Sequence, residues 1–133
     1  MENVKGIYIL IALVAKRFNV NVGALDRLSF EKGTYAYVGS AQSNLERRVT
    51  WHLKKDKRKF WHIDYLLHND NAKIAGIFYL TAGESKECWV AKELGKRGFL
   101  IDGFGSSDCN CRSHLFKLEN CEFLRETMHE LAI

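Results

Sequence analysis

The chain has 133 residues, 47% of them hydrophobic and 27% charged, and carries a net charge of +4 from 20 Lys and Arg against 16 Asp and Glu. This balance predicts one compact domain over residues 1–133 and excludes a disordered tail or a fibrous repeat. The longest apolar run, residues 6–15, falls short of the roughly 20 residues needed to cross a bilayer and carries no signal-cleavage pattern, so a cytoplasmic protein with no membrane contact is expected.

Residues 6–14 set Ile7, Ile9, Ile11 and Leu13 on one face and Tyr8, Leu10, Ala12 and Val14 on the other. Both faces are apolar, which predicts a central strand covered on both sides. A turn over 16–19 leads to a returning strand over 18–22, and Glu31-Lys32-Gly33 turns the chain into a further strand over 34–38. The short links predict antiparallel pairing. Ser43-Asn44-Leu45-Glu46 reads as a capping box opening a helix whose buried stripe is Leu45, Val49 and Leu53. Arg48 and His52 lie one turn apart on the edge of that stripe, while Arg47 points about 160° away from it, toward water.

Residues 61–67 read as a short helix and 72–80 as an interior strand. A helix over 85–96 turns Ala91 and Leu94 inward, with Glu87 on the same face, where a carboxylate without a partner is costly. A glycine- and serine-rich loop over 103–107 runs into Asp108-Cys109-Asn110-Cys111, and 115–118 reads as a last short strand. From residue 119 an amphipathic helix places Cys121, Leu124, Met128 and Leu131 inward and Glu122, Glu126 and Glu130 outward. The fold class is α/β of the α+β kind: a small, mostly antiparallel central sheet flanked by helices.

The charge is concentrated. Arg47, Arg48, Lys54, Lys55, Lys57, Arg58 and Lys59 face only Glu46 and Asp56, a local excess of five positive charges on a body that otherwise sums to −1. Lys54, Lys55, Lys57, Arg58 and Lys59 are therefore the candidate grip on a phosphate backbone, which positions nucleic acid without reading its sequence.

Gly6-Ile7-Tyr8 in a first strand and Tyr37-Val38-Gly39 closing a later one resemble the two triplets of the GIY-YIG nuclease superfamily. Arg48 followed one turn later by His52, and Glu87 on a later helix, match the positions of that family's further site residues. Together with Trp-His-Ile-Asp-Tyr-Leu at 61–66, Gly-Phe-Gly-Ser-Ser-Asp-Cys at 103–109 and Ser113-His114-Leu115-Phe116, the pattern is similar to the archaeal and bacterial branch labelled Uri superfamily endonucleases and covers nearly the whole chain.

The resemblance implies an endonuclease dependent on Mg²⁺ or Mn²⁺ that hydrolyses phosphodiesters, DNA being favoured over RNA as its partner. It implies catalytic roles for Tyr8, Tyr37, Arg48, His52 and Glu87, with Glu87 as the metal ligand. The chemistry suits the residue types. A carboxylate anchors a hard cation, and a guanidinium takes a pair of phosphate oxygens. A phenol near pKa 10 is a poor base at neutral pH unless a nearby cation lowers that value, so Tyr8 and Tyr37 are candidates for base or water-orienting partner, and a histidine near pKa 6.5 can share the proton traffic. Many members of the superfamily also place an Asn beside a Pro-containing motif. This chain has no proline, and Ser106, Ser107 or Asp108 in the glycine-rich loop stand where that residue would be. Without an added recognition domain, the expectation is structure-directed or weakly specific cutting in repair or recombination, or specificity supplied by a protein partner. The competing reading is a non-catalytic nucleic-acid-binding module that keeps the fold.

The reading requires the two phenols, the guanidinium and the carboxylate to meet in one exposed hollow. Two other clusters invite chemistry. His62 and Asp64 are about 200° apart on a helix, so the Trp61-His62-Ile63-Asp64 segment reads as a capping and packing motif rather than a site. Cys109, Cys111 and His114, with Cys88 or Cys121, offer zinc ligands. Their tight spacing and the lack of a second close Cys pair favour packed thiols over zinc, and a Cys109 nucleophile with His114 as base is less favoured still.

Overall fold

The computed structural model describes residues 5–55, 57–59, 61–106 and 109–131. Strand β1 (Gly6–Val14) runs through the middle of the fold, followed by β2 (Phe18–Asn21), β3 (Arg27–Phe30), β4 (Gly33–Ala41), α1 (Leu45–Leu53), α2 (His62–His68) and β5 (Ala72–Leu80). The chain continues through α3 (Lys86–Gly95), β6 (Gly98–Leu100), β7 (Leu115–Leu118), α4 (Glu122–Thr127) and β8 (His129–Glu130). Among the described residues these form a six-stranded sheet in the order β6-β7-β4-β1-β5-β8, every pairing antiparallel, beside a small β2-β3 hairpin. The expected α+β architecture is present.

The two faces of β1 feed two separate cores. Tyr8, Leu10, Ala12 and Val14 pack with Leu45 and Val49 of α1, Ile63, Leu66 and Leu67 of α2, and Phe18 and Phe30 of the hairpin. Ile7, Ile9 and Ile11 pack with Val90, Ala91 and Leu94 of α3 and Leu124 of α4. Burying alternate residues on opposite sides is what an apolar strand with no polar face demands. No helix among the described residues is long and apolar enough to cross a membrane.

Several local expectations give way. Asn44 rather than Ser43 caps α1, its side chain accepting from the Arg47 amide at 2.9 Å. Leu53 is 49% exposed, and the helix buries Leu45, Val49 and His52 instead. The C-terminal helix ends at Thr127, because the chain turns extended at Met128 and lays β8 against the edge of β5, pairing Phe78 with Glu130 and Tyr79 with His129. The edge of β5, which a longer helix would leave open, is thereby partly paired. Strands β3 and β6 are short additions that alternation alone does not mark.

Two-sided burial makes a testable claim. Ile9→Ala and Leu10→Ala, on opposite faces of β1 and each at most 1% exposed, should each cost about 2–5 kcal/mol in denaturant unfolding. A sheet with one solvent face would leave one of the two substitutions nearly silent.

Candidate functional site

The antiparallel register of β1 and β4 sets Tyr8 opposite Gly39 and Leu10 opposite Tyr37. Tyr8 and Leu10 share a face, so Tyr37 stands diagonally next to Tyr8 on that same face. The two rings lie 6.4 Å apart. Gly39 is required by this arrangement: a Cβ there would come within 2.4 Å of the Tyr8 ring and hydroxyl. The two sequence triplets are thus halves of one cross-strand unit, in which the glycine of the second makes room for the phenol of the first.

Helix α1 closes over the phenols. His52 Nε2 lies 2.7 Å from the Tyr8 hydroxyl, and the His52 ring also approaches Tyr37 with centroids 6.3 Å apart. One turn earlier, the Arg48 guanidinium stacks over Trp61 at 4.4 Å, donates to the Ser40 carbonyl at 3.1 Å and reaches the Tyr8 phenol. Arg47 is exposed, as expected. Burial pushes the Tyr8 phenol up to about 12 against the pull of Arg48, and Tyr37 well above its ordinary value. Burial likewise lowers His52 to about 3 despite the nearby Asp64 carboxylate, with Lys57 and Arg48 adding to the fall. The pair is therefore neutral across the physiological range, with Tyr8 donating to an unprotonated imidazole. His52 does not titrate near neutrality as its ordinary value implies; desolvation overrides it.

Asp64 is the residue that the sequence reading left outside the site. Its carboxylate accepts from the Trp61 amide at 2.9 Å, the anticipated capping role. It is also fully buried, faces His52 Nδ1 across 4.0 Å and binds the Lys57 ammonium at 3.2 Å. The available signal was an acid between Ile63 and Leu66, on the turn that α2 must bury. His62 turns elsewhere, its Nδ1 accepting from the Gly105 amide at 2.8 Å.

Glu87 lies in the first turn of α3, partly buried, with Oε2 2.9 Å from His114 Nδ1. Its negative charge opposes ionisation of both Tyr8 and Tyr37, which places it electrostatically within the same cluster. Gly105, with a φ of +71°, brings the glycine-rich loop against Tyr37, where a Cβ would lie 3.0 Å from the ring, and Phe104 packs edge-on to Tyr37. Ser106 is buried. Ser107 and Asp108, the other two loop residues that the sequence reading singled out, lie outside the described residues. Beyond the loop, ligand atoms of Cys88, Cys109, Cys111 and His114 gather within 4.8 Å of one another.

Tyr8, Tyr37, Arg48 and His52 therefore converge, with Glu87 acting on both phenols through its charge, but not in an open hollow. Tyr8 is 1% and Tyr37 6% exposed; Arg48 and Glu87 retain solvent access and form the rim. The phenols are closed off because α1, Trp61 and Phe104 pack around them. The basic run also divides. Lys54, Arg58 and Lys59 are exposed, with the Lys59 ammonium 5.7 Å from the Tyr65 ring. The Lys55 ammonium instead donates to the carbonyls of Leu67, Asn69 and Ala72 at 2.6–2.9 Å, and Lys57 donates to the Trp51 carbonyl at 2.7 Å besides pairing with Asp64. The ammonium groups of these two are engaged by partners within the protein.

Two measurements follow from these contacts. The unfolded imidazole of His52 takes a proton below its ordinary 6.5, while the folded one stays neutral until about 3. Its contribution to stability is thus intact above pH 6.5 and lost as pH falls toward 3, by up to ~1.4 kcal/mol per pH unit. His52→Gln should flatten the acid limb of the stability curve by that slope; an unchanged limb would show that the imidazole is protonated in the fold. Lys55→Met, which leaves three carbonyls without their ammonium, should lower stability by about 1–2 kcal/mol in denaturant unfolding.

Comparison with known proteins adds one finding. Nothing among curated proteins or solved structures matches the chain. A family model described as "Domain of unknown function DUF123" matches residues 7–132, a span that takes in Ile7 and Tyr8 of the first triplet, the whole of the second, the Arg48–His52 helix, Glu87 and the cysteine loop. The chain belongs to this DUF123 family.

Proposed function

We propose that this protein is a cytoplasmic endonuclease that hydrolyses phosphodiester bonds in DNA with Mg²⁺ or Mn²⁺, directed by DNA structure or only weakly by sequence, in repair or recombination. The observation that carries this reading is the meeting of five groups from four separate elements, Tyr8 on β1, Tyr37 on β4, Arg48 and His52 on α1 and Glu87 on α3, at one end of the sheet. Their agreement with the GIY-YIG pattern supports the assignment of roles.

The donor set fits a hard divalent ion of the kind that keeps most of its waters. Glu87 commits one oxygen to His114 and leaves the other at a partly exposed rim, and a single carboxylate with water and phosphate oxygens is the usual shell for Mg²⁺. When bound, such an ion neutralises charge on the phosphorane-like transition state and makes its bound water more acidic. Arg48, free on its solvent side, receives two non-bridging phosphate oxygens in the geometry a planar guanidinium favours. Tyr8, hydrogen-bonded to His52 Nε2 and closed off from solvent, is held as a neutral phenol that steadies Arg48 at the rim and is not a resting phenolate. Tyr37 lines the same wall. Lys54, Arg58 and Lys59 hold the backbone beside the rim.

Nicked, flapped and branched DNA in Mg²⁺ or Mn²⁺ provides the test. Wild-type protein should cut at least one of these, with Glu87→Gln and Arg48→Ala each slower by about 10²-fold or more. Alanine at Lys54, Arg58 and Lys59 together should weaken binding and reduce the slope of log affinity against log salt by about 2–3. Salt-sensitive binding with no cleavage by any form would instead establish the second reading, a non-catalytic binding module, which the closure of the phenols against solvent favours.

A further inference from the structure

The geometry points to a second metal site, a zinc centre of the structural Cys₃His type formed by Cys88, Cys109, Cys111 and His114. The linear spacing argued for packed thiols because no second close Cys pair exists; the fold supplies the missing ligand from a distance, bringing Cys88 from the first turn of α3 to the Cys-x-Cys loop. All four ligand atoms lie within 4.8 Å of one another. In a tetrahedral zinc site with Zn–S of about 2.3 Å and Zn–N of about 2.0–2.1 Å, a sulfur–nitrogen edge spans roughly 3.6 Å. Cys109 Sγ and His114 Nε2 are 3.4 Å apart. Three thiols and an imidazole crowded to this degree, with no disulfide among the described cysteines, form a soft donor set that selects zinc over Mg²⁺.

The histidine carries the second indication. His114 is 1% exposed, with Nε2 facing the sulfurs and Nδ1 2.9 Å from Glu87 Oε2. A ligating imidazole whose other nitrogen donates to a carboxylate is the arrangement by which proteins fix the tautomer and orientation of a metal-bound histidine. Four protein ligands close the coordination shell, so the ion's role is to staple. It ties α3 to the segment that leads into β7 and locks His114, which in turn holds one Glu87 oxygen and leaves the other at the rim. Cys121, the alternative fourth ligand, lies outside the cluster and packs against the core built on Ile7, Ile9 and Ile11.

This inference is independent of the nuclease reading, since its test involves no DNA. Protein purified without chelator is analysed for zinc, then stripped with chelator and titrated with Co²⁺ while its visible spectrum is recorded. Wild type and Cys121→Ser should hold one zinc per chain and develop the thiolate-to-cobalt and tetrahedral absorption bands. Cys88→Ser and Cys111→Ser should lose zinc and those bands, and zinc should raise the melting temperature of stripped wild type. Folded wild-type protein with no zinc that stays colourless with Co²⁺ overturns the site, whether its thiols are free or cross-linked. So does a pattern in which Cys121→Ser loses the metal and Cys88→Ser keeps it. Should the Cys88 and Cys111 variants fail to fold, wild type and Cys121→Ser alone decide.

Discussion

A phenol almost fully removed from water must find its hydrogen-bond partner within the protein, and much of this fold is arranged around the partner that Tyr8 finds. Strand β1 is covered on both faces, so the Tyr8 hydroxyl has no route to solvent. The 2.7 Å bond to His52 satisfies it and fixes the rotation of α1 about its own axis. With His52 turned inward, Leu53 is forced toward solvent and Arg48 is placed at the rim. A helix whose apolar positions alone governed its docking would bury Leu53 and swing both polar side chains outward. A buried polar bond thus overrides the burial of one leucine, which is reasonable when an unsatisfied hydroxyl and imidazole cost about 1–3 kcal/mol each, comparable to the gain from hiding one large aliphatic side chain.

The same residue type takes opposite character on the two sides of the site. Burial works to lower both His52 and His114. For His114 the Glu87 carboxylate at 2.9 Å and the Cys109 sulfur together outweigh it, and the imidazole is held above its ordinary value. For His52 the nearest carboxylate oxygen is 4.0 Å away and already occupied by Lys57, so burial prevails. One histidine thus sits neutral against a phenol, and the other lies against a carboxylate. Sequence position says nothing of this; the difference lies in about an ångström of separation and in what else the carboxylate holds.

What could be read from the residues was whatever local periodicity or a fixed spacing determines. Both apolar faces of residues 6–14 foretold a central strand, the span 72–80 coincides with β5 and 115–118 with β7. The two triplets were legible because register, once antiparallel pairing is assumed, brings their phenols to one face. The failures are tertiary. Leu53 fits the helical stripe but loses its place to His52. Residues 128–131 fit an amphipathic helix but serve the sheet edge better as β8. Asp64 looked like a cap and is one, yet its second oxygen faces Lys57 and His52, which only the docking of α2 beside α1 reveals. Cys88 is separated from the other cysteines by more than twenty positions, and no spacing rule joins them.

The basic run carries the last lesson, because charge counted along a chain is not charge available to a ligand. Lys55 terminates α2 by donating to the carbonyls of Leu67, Asn69 and Ala72, satisfying acceptors that a helix end and the following turn leave open. Lys57 reaches further inward. By neutralising Asp64 it weakens the one influence that would raise His52, and its own charge adds to the lowering. A lysine taken from the sequence for a backbone grip thereby helps keep His52 unprotonated, which leaves its imidazole a nitrogen able to accept from the Tyr8 hydroxyl. The basic run and the protonation state of the buried cluster are coupled through that single ammonium, so a change in the run that reaches Lys57 also acts on His52.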